Sequence, residues 1–321
     1  MILAGIDEAG YGPVLGPLVV GCSAFEIPAD ADQPPCVWKL LRRYVSKNRS
    51  KTGAKLHVND SKLVYSPSIG LKELERSVLT ILAAMECPLD DFPTLLRQVA
   101  GSLLNDIGGY AWYQQPHGER FPLEQDATPI RLLANALRLE MKRVNAHCVH
   151  VAARVVCERE LNRMFAATRN KASVLFTQAA THIDHLLRNF ADRSLTIVCD
   201  RQGGREHYGS LLRMMFEDWS LEIDHEEESH SEYRLLNRGR VVRILFREKA
   251  EAQCLPVALA SMVSKYLREA MMRRFNAYWR LHIPTVEPTA GYYNDGIRFL
   301  GDIAHVRQAM GIEDEQLIRA R

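Results

Sequence analysis

What the chain has little of is charge of one sign. Lys+Arg total 41 against 39 Asp+Glu, a formal net charge of +2 over 321 residues, so bulk electrostatics names no partner and only local charge patterns carry information. Closely spaced cysteine pairs are also missing. The seven cysteines, Cys22, Cys36, Cys87, Cys148, Cys157, Cys199 and Cys254, are odd in number, lie far apart and form no C-x-x-C. That excludes a zinc knuckle and a disulfide framework, and fits reduced thiols in a cytoplasm. Long apolar runs are absent as well: the longest uncharged stretch, residues 9–25, is broken by four glycines and two prolines and falls short of the ~20 apolar residues of a spanning helix. No basic segment precedes the apolar run 2–6, which meets Asp7 and Glu8 at once, so a secretory signal is not expected. A cytoplasmic protein without membrane association is the expectation, and nothing in the sequence names a protein partner.

What is present is the mixture of a soluble globular chain, 47% apolar and 25% charged, enough for one large domain or two modest ones with a self-sufficient core. The opening MILAGIDEAGYGPVLGPLVVGCSAFEI reads as strand, glycine-rich turn, strand. Residues 33–59 hold no acid but seven bases (Lys39, Arg42, Arg43, Lys47, Arg49, Lys51, Lys55), with Trp38 and Tyr44 interleaved. Such a stretch is equally suited to tracking phosphates, with an aromatic stacking face, and to being a solvated positive surface. Helical spacing predicts helices over 69–85, 92–107, 129–144, 171–190 and 256–280, the last with Arg268, Arg273, Arg274 and Arg280 on its solvent face. Strands are predicted over 150–157, 195–200 and 240–246. Strand alternating with helix implies an α/β sheet, and residues 86–145 read as an inserted helical unit packing as a cap.

The ends of three apolar strands present Asp7 with Glu8, then Asp200, then Glu251 just beyond the third. Strand ends are where α/β sheets place their sites. Four carboxylates gathered without bases would repel one another strongly, so their convergence makes physical sense chiefly around hard divalent cations, and oxygen-only ligands favour magnesium or manganese over zinc. Taken singly, each acid is more simply a solvated strand end. Asp7 and Glu8 together are harder to dismiss, although neighbouring strand residues point to opposite faces. Both serve one site only if the chain bends at once, and Gly10 and Gly12 permit that.

GIDEAGYGPVLGPLVVG resembles the first motif of the type 2 ribonucleases H (ribonucleases HII and HIII), GxDEAGRGPxxGPVV. Asp60-Ser61-Lys62 matches that family's DSK turn and IVCD its strand ending in the third acid. KAEAQCLPVALASMVSK resembles its KADAxxxxxxAASIxAK segment, and AGYYNDG its later GYxT segment. The matches occur in the family's order over residues 1–85 and about 146–300. Two positions depart from the pattern: Tyr11 stands where ribonuclease HII usually has arginine, and Glu251 replaces the usual aspartate.

The resemblance implies a ribonuclease H-like mixed sheet flanked by helices, with residues 1–85 and 146–321 as the catalytic domain and 86–145 as an inserted helical subdomain. It implies a two-metal endonuclease acting on the RNA strand of RNA/DNA hybrids or on ribonucleotides embedded in duplex DNA. Asp7, Glu8, Asp200 and Glu251 would be metal ligands for two Mg2+ or Mn2+ ions. Gly10, Tyr11, Gly12, Ser61, Lys62, Ser261, Lys265 and Tyr292 would contact the nucleic acid, the glycine backbone approaching the ribose and Tyr292 its sugar face.

Two other function classes are compatible with the sequence. One is a nucleic-acid-binding protein of the same fold that has lost cleavage. The other is an actin-like phosphotransferase, whose first phosphate motif GIDEAGYG also resembles; its glycine-rich adenosine motif is missing after Gly291. Two weaker patterns are set aside. HEEESH (225–230) within the acidic arm 217–232 would need histidine at position 229, which is Ser229, to be HExxH, and it reads as a solvated acidic hairpin. The glycines at 204–210 have Ser210 where a phosphate loop needs lysine.

Overall fold

In the first strand, β1 (Ile2–Ala9), every residue from Ile2 to Asp7 is buried, as befits a central strand covered on both faces. Its side chains divide with the two-residue period of a strand: Ile2, Ala4 and Ile6 enter one apolar cluster and Leu3 the other. The computed structural model, which describes residues 1–28, 34–114, 116 and 118–320, builds outward from this strand.

In chain order the other strands are β2 (Leu18–Glu26), β3 (Val45–Ser46), β4 (Leu56–His57), β5 (His147–Val156), β6 (Leu195–Asp200), β7 (Ser220–Glu226), β8 (His230–Asn237) and β9 (Arg240–Arg247). The helices are α1 (Val37–Leu40), α2 (Ser61–Val64), α3 (Lys72–Ala84), α4 (Phe92–Ala100), α5 (Ala127–Val144), α6 (Glu158–Thr168), α7 (Lys171–Phe190), α8 (Gly209–Met215), α9 (Leu255–His282), α10 (Tyr293–Ala309) and α11 (Asp314–Leu317). Seven strands form one sheet in the order β5-β2-β1-β6-β9-β8-β7, and β3 pairs with β4 apart from it. β1, β6 and β9 run parallel; β2, β5, β8 and β7 pair antiparallel to their neighbours. This is the ribonuclease H-like mixed sheet flanked by helices that the sequence implies.

One face of the sheet is covered by α7, through Val174, Ile183 and Leu186. The other is covered by α9, through Val257, Met262, Leu267 and Met271. The second contact is unusually close. A Cβ built on Gly5 would lie 2.1 Å from the Val257 nitrogen, and one on Gly21 2.5 Å from the Ala260 carbonyl oxygen, so glycines in β1 and β2 let the long helix lie against the backbone of the sheet. Helix α9 carries apolar residues almost all round its first five turns, the composition of a helix buried on most sides.

Several expectations change in the structure. The helical pattern 92–107 is interrupted: α4 ends at Ala100, and 3-10 turns follow at Gly101–Asn105, Ile107–Gly109 and Ala111–Tyr113, consistent with the helix-weakening glycines 101, 108 and 109. Phe92, Trp112 and Tyr113 from this stretch, with Leu137 of α5, join the same apolar cluster as Leu79 of α3 and Trp279 of α9. Arg268 and Arg274 do not decorate the solvent face of α9; they are only 1% and 3% exposed. Arg274 donates to Glu119, while Arg268 donates to the Ala290 carbonyl at 2.9 Å; buried guanidinium groups require such partners. Trp38 offers no stacking face. It is buried, gives its indole N–H to the Val58 carbonyl at 2.9 Å, and carries the Lys47 ammonium 4.3 Å from its ring. The acidic arm is a hairpin, and β7 within it forms one edge of the main sheet. No helix among the described residues is long and apolar enough to cross a membrane.

Candidate metal and nucleic-acid site

The parallel register of β1 with β6 pairs Ile6 with Cys199, so the next residue on each strand, Asp7 and Asp200, stand side by side about one strand spacing apart. The third parallel strand, β9, pairs Arg247 with Asp200. Just beyond it Lys249 turns the chain at φ +55° into a single 3-10 turn, Ala250–Ala252, that presents Glu251. Backbone geometry fixes two of the acids: Asp7 Oδ1 accepts the Glu8 N–H at 2.7 Å, and Asp200 Oδ1 accepts the Ala250 N–H at 2.9 Å. Asp7 and Glu251 are each 8% exposed. Gly10, at φ +84°, turns the chain directly after the strand, as the pairing of Asp7 and Glu8 in one site requires. Gly12 has ordinary backbone angles and open space where a Cβ would stand.

The electrostatics of this cluster are dominated by burial. Burial, and then the neighbouring Glu8, hold the Asp7 carboxyl well above the usual carboxylate range. Burial with Asp200 nearby pushes Glu8 up to about 8, burial with Asp7 pushes Asp200 to about 6, and burial with Asp200 pushes Glu251 to about 7. Lys62 is the cation that most relieves Glu8. Desolvated like charges resist ionisation, so without a counter-ion the four acids favour holding protons. Glu8 Oε2 and Glu251 Oε2 are buried and have no hydrogen-bond partner. Orphaned buried carboxylate oxygens are costly, and an all-oxygen donor set with orphaned members fits hard divalent cations.

The DSK turn reaches the same place. Asp60 caps α2, accepting the Lys62 N–H at 2.9 Å, and Ser61 lies 3.0 Å from the Ser261 hydroxyl, which also reaches the Asp7 carboxyl. Lys265 is engaged elsewhere, donating to Glu269 at 2.8 Å and lying 4.7 Å from the Tyr65 ring centre. Tyr292 is 52% exposed at the start of α10, with the Arg268 guanidinium 5.8 Å from its ring centre. Tyr11 packs against Gly203, with Glu8 and Arg205 as charged neighbours.

Residues not singled out in the sequence hold the 10–17 loop in place. Arg319, near the end of the chain, donates to the carbonyls of Gly10 and Tyr11, and its own N–H reaches the Val14 carbonyl at 2.9 Å. Glu158 accepts the Gly16 N–H at 3.0 Å and the Tyr113 hydroxyl at 2.5 Å. The Gly291 carbonyl receives the N–H groups of Val14 and Leu15. No local motif marks Arg319 or Glu158; their partners are distant in sequence, and only the fold brings them together.

Among solved structures, the chain is similar to the Archaeoglobus fulgidus RNase HII of a PCNA:RNase HII complex, at 16% identity and TM-score 0.43, covering 100% of this chain and 95% of that one. It is similar to the ribonuclease H2 of Pyrococcus horikoshii OT3, at 14% identity and TM-score 0.42, covering 99% and 92%. It is also similar to Bst-RNase HIII in complex with Mn2+, at 13% identity and TM-score 0.42, covering 99% and 66%. These are type 2 ribonucleases H. No family model matches the sequence, and no curated protein does.

Proposed function

We propose that the protein is a divalent-metal-dependent endonuclease of the type 2 ribonuclease H kind, hydrolysing RNA in RNA/DNA hybrids or ribonucleotides embedded in duplex DNA. The observation that carries this reading is the meeting of Asp7, Glu8, Asp200 and Glu251, two of them with an orphaned oxygen, in a buried cluster whose strongest cationic neighbour is Lys62. Those four residues would hold two Mg2+ or Mn2+ ions. Such a pair activates water and stabilises a leaving 3′-oxygen.

The protein's own groups supply position. The Asp7 carboxylate is fixed by the Glu8 N–H and the Asp200 carboxylate by the Ala250 N–H just beyond β9, which holds the acids in place against their mutual repulsion when they ionise. The exposed Lys62 faces the cluster's acids and suits a phosphate oxygen. The backbone of Gly10-Tyr11-Gly12, with open space at Gly12, suits close approach of a ribose, whose 2′-hydroxyl separates RNA from DNA. Ser61 and Ser261 hold the α2 turn against Asp7. Tyr292 would lie along the sugar, and Lys265, paired with Glu269 and 4.7 Å from the Tyr65 ring centre, would position the segment after α2. Residues 86–145 would serve as a helical cap on a catalytic domain of residues 1–85 and 146–321. The seven thiols are all free, which accords with a cytoplasmic setting.

The test is incubation with labelled RNA/DNA hybrid, a duplex carrying a single ribonucleotide, and an all-DNA duplex, each with magnesium, manganese or chelator. Cleavage of a ribonucleotide-containing substrate, dependent on metal and reduced at least about a hundredfold in Asp7→Asn, is the expected result. Hybrid binding without metal-dependent cleavage would assign the protein to the binding class instead.

A further inference from the structure

The tip of the acidic hairpin holds a set of metal-ligating side chains that the nuclease reading does not use. His225 and Glu227 lie at the end of β7 and in the turn, and His230 opens β8. One ring nitrogen from each histidine and one carboxylate oxygen of Glu227 all lie within 4.8 Å of one another, the one such trio of His, Cys, Asp or Glu among the described residues. His225 Nε2 is 2.8 Å from Glu227 Oε1, and the two imidazole rings stack with centres 4.4 Å apart at 26°.

The backbone is built to hold this geometry. The Glu227 N–H donates to the His230 carbonyl at 2.9 Å, closing the turn. The ladder slips between Ile223 and His225, opposite Tyr233 and Glu232. A bulge of this kind re-aims the side chain that follows it. Asp224, passed over by the slip, is taken by Arg234 at 2.6–2.9 Å, and Glu226 by the Tyr233 hydroxyl. The nearest other acids on the strand are therefore spoken for by neighbours outside the trio. A hydrogen-bonded His–Glu pair accounts for the 2.8 Å contact by itself; it does not account for a second imidazole brought within ligand distance of both.

We propose that His225, Glu227 and His230 form a binding site for a borderline transition-metal ion of the zinc class, separate from the acid cluster. Two imidazoles and one carboxylate are a ligand set suited to zinc with a fourth position left to water, and they differ in kind from the four carboxylates of the other site. The tip is tied to the acid cluster's strands by the Arg201 side chain donating to the Glu228 carbonyl and by the Glu248 N–H donating to the Ser229 carbonyl at 3.2 Å. A bound ion would therefore fasten the hairpin beside the strand ends that carry Asp200 and Glu251. The site stands independently of the nuclease reading.

The experiment is titration of the full chain, freed of metal with chelator, with zinc chloride by calorimetry, and with cobalt(II) followed by its visible absorption. With excess magnesium present to occupy the carboxylate cluster, wild type and Asp7→Asn are expected to bind one zinc at a Kd of about 10 μM or tighter and to develop the absorption bands of four-coordinate cobalt. His225→Ala, His230→Ala and the milder Glu227→Gln are expected to weaken binding at least about tenfold and to lose those bands, with unchanged far-UV circular dichroism and unchanged cleavage in magnesium. Zinc affinity unaltered in both histidine variants, binding lost only in Asp7→Asn, or no binding below millimolar zinc would each overturn the proposal.

Discussion

The cost of the acid cluster falls on single residues. Burial and the adjacent Asp200 carboxylate push the Glu251 carboxyl up to about 7, so in chelator Glu251 ionises only against a neighbour that repels it. A glutamine there keeps the length of the side chain and removes the charge. Glu251→Gln is accordingly expected to be more stable than wild type in chelator by about 1 kcal/mol, a rise of about 1.5 °C in Tm for a chain of this size, and to gain less than wild type from added Mg2+. Differential scanning calorimetry with chelator and with 10 mM magnesium, a concentration on the order needed for linkage to register, reads both effects. A variant less stable than wild type in chelator would mean that Glu251 contributes through packing rather than charge. Sites held at the expense of stability are a common feature of function.

At the scale of elements, the loop between β1 and β2 is held from outside. Its carbonyls at Gly10 and Tyr11 face Arg319, whose guanidinium is buried and pushed down to about 10 by that burial and by Arg268 nearby. Arg319→Ala removes donors to two backbone carbonyls that are partly buried, a loss of about 1–3 kcal/mol at each group left unpaired. The fold tolerates that, because the strands are held by their own ladders. Loop placement does not. The variant is expected to raise KM for an RNA/DNA hybrid about tenfold with a smaller change in kcat, and Arg319→Lys to recover part of the loss. Steady-state kinetics with hybrid substrate decides this; equal falls in kcat and kcat/KM would place Arg319 closer to the reacting atoms. The loop also shows where legibility ended. Gly10, Asp7 and Glu8 stand in one run of sequence and could be read there. Arg319, Glu158 and Gly291 act across 142 or more positions, and no period or local motif encodes such a contact. The same holds for Arg268 and Arg274: helical spacing put them on a polar stripe, but these two reach Leu15 of the 10–17 loop and Tyr113 and Glu119 instead of water.

For the whole molecule, α6 and α10 went unpredicted, but the order of β1, β2, β5, β6 and β9 and of α3, α4, α5, α7 and α9 was legible because those elements carry their own period or read as unbroken apolar runs. The closeness of α9 to the sheet was not, since it depends on two glycines that look unremarkable in a strand. A comparable buried choice sets how stability responds to acid. His182 of α7 is 4% exposed, with Nε2 2.9 Å from the Val20 carbonyl of β2, so that nitrogen carries a proton and burial favours the neutral ring. Burial pushes its pKa down to about 4 from 6.5. The unfolded chain therefore binds more protons than the folded one between those values. Stability contributed at His182 is full above pH 6.5 and is lost as pH falls toward 4. The buried acids, whose affinity for protons is raised on folding, push the opposite way, so wild type alone cannot isolate the histidine. The difference between wild type and His182→Gln can, because the acids cancel. That difference is expected to shift by about 2.5 kcal/mol in favour of the variant between pH 7.5 and 4.5. Guanidinium chloride unfolding of both proteins across that range measures it, and a difference that stays constant with pH would show that folding leaves the proton affinity of His182 unchanged.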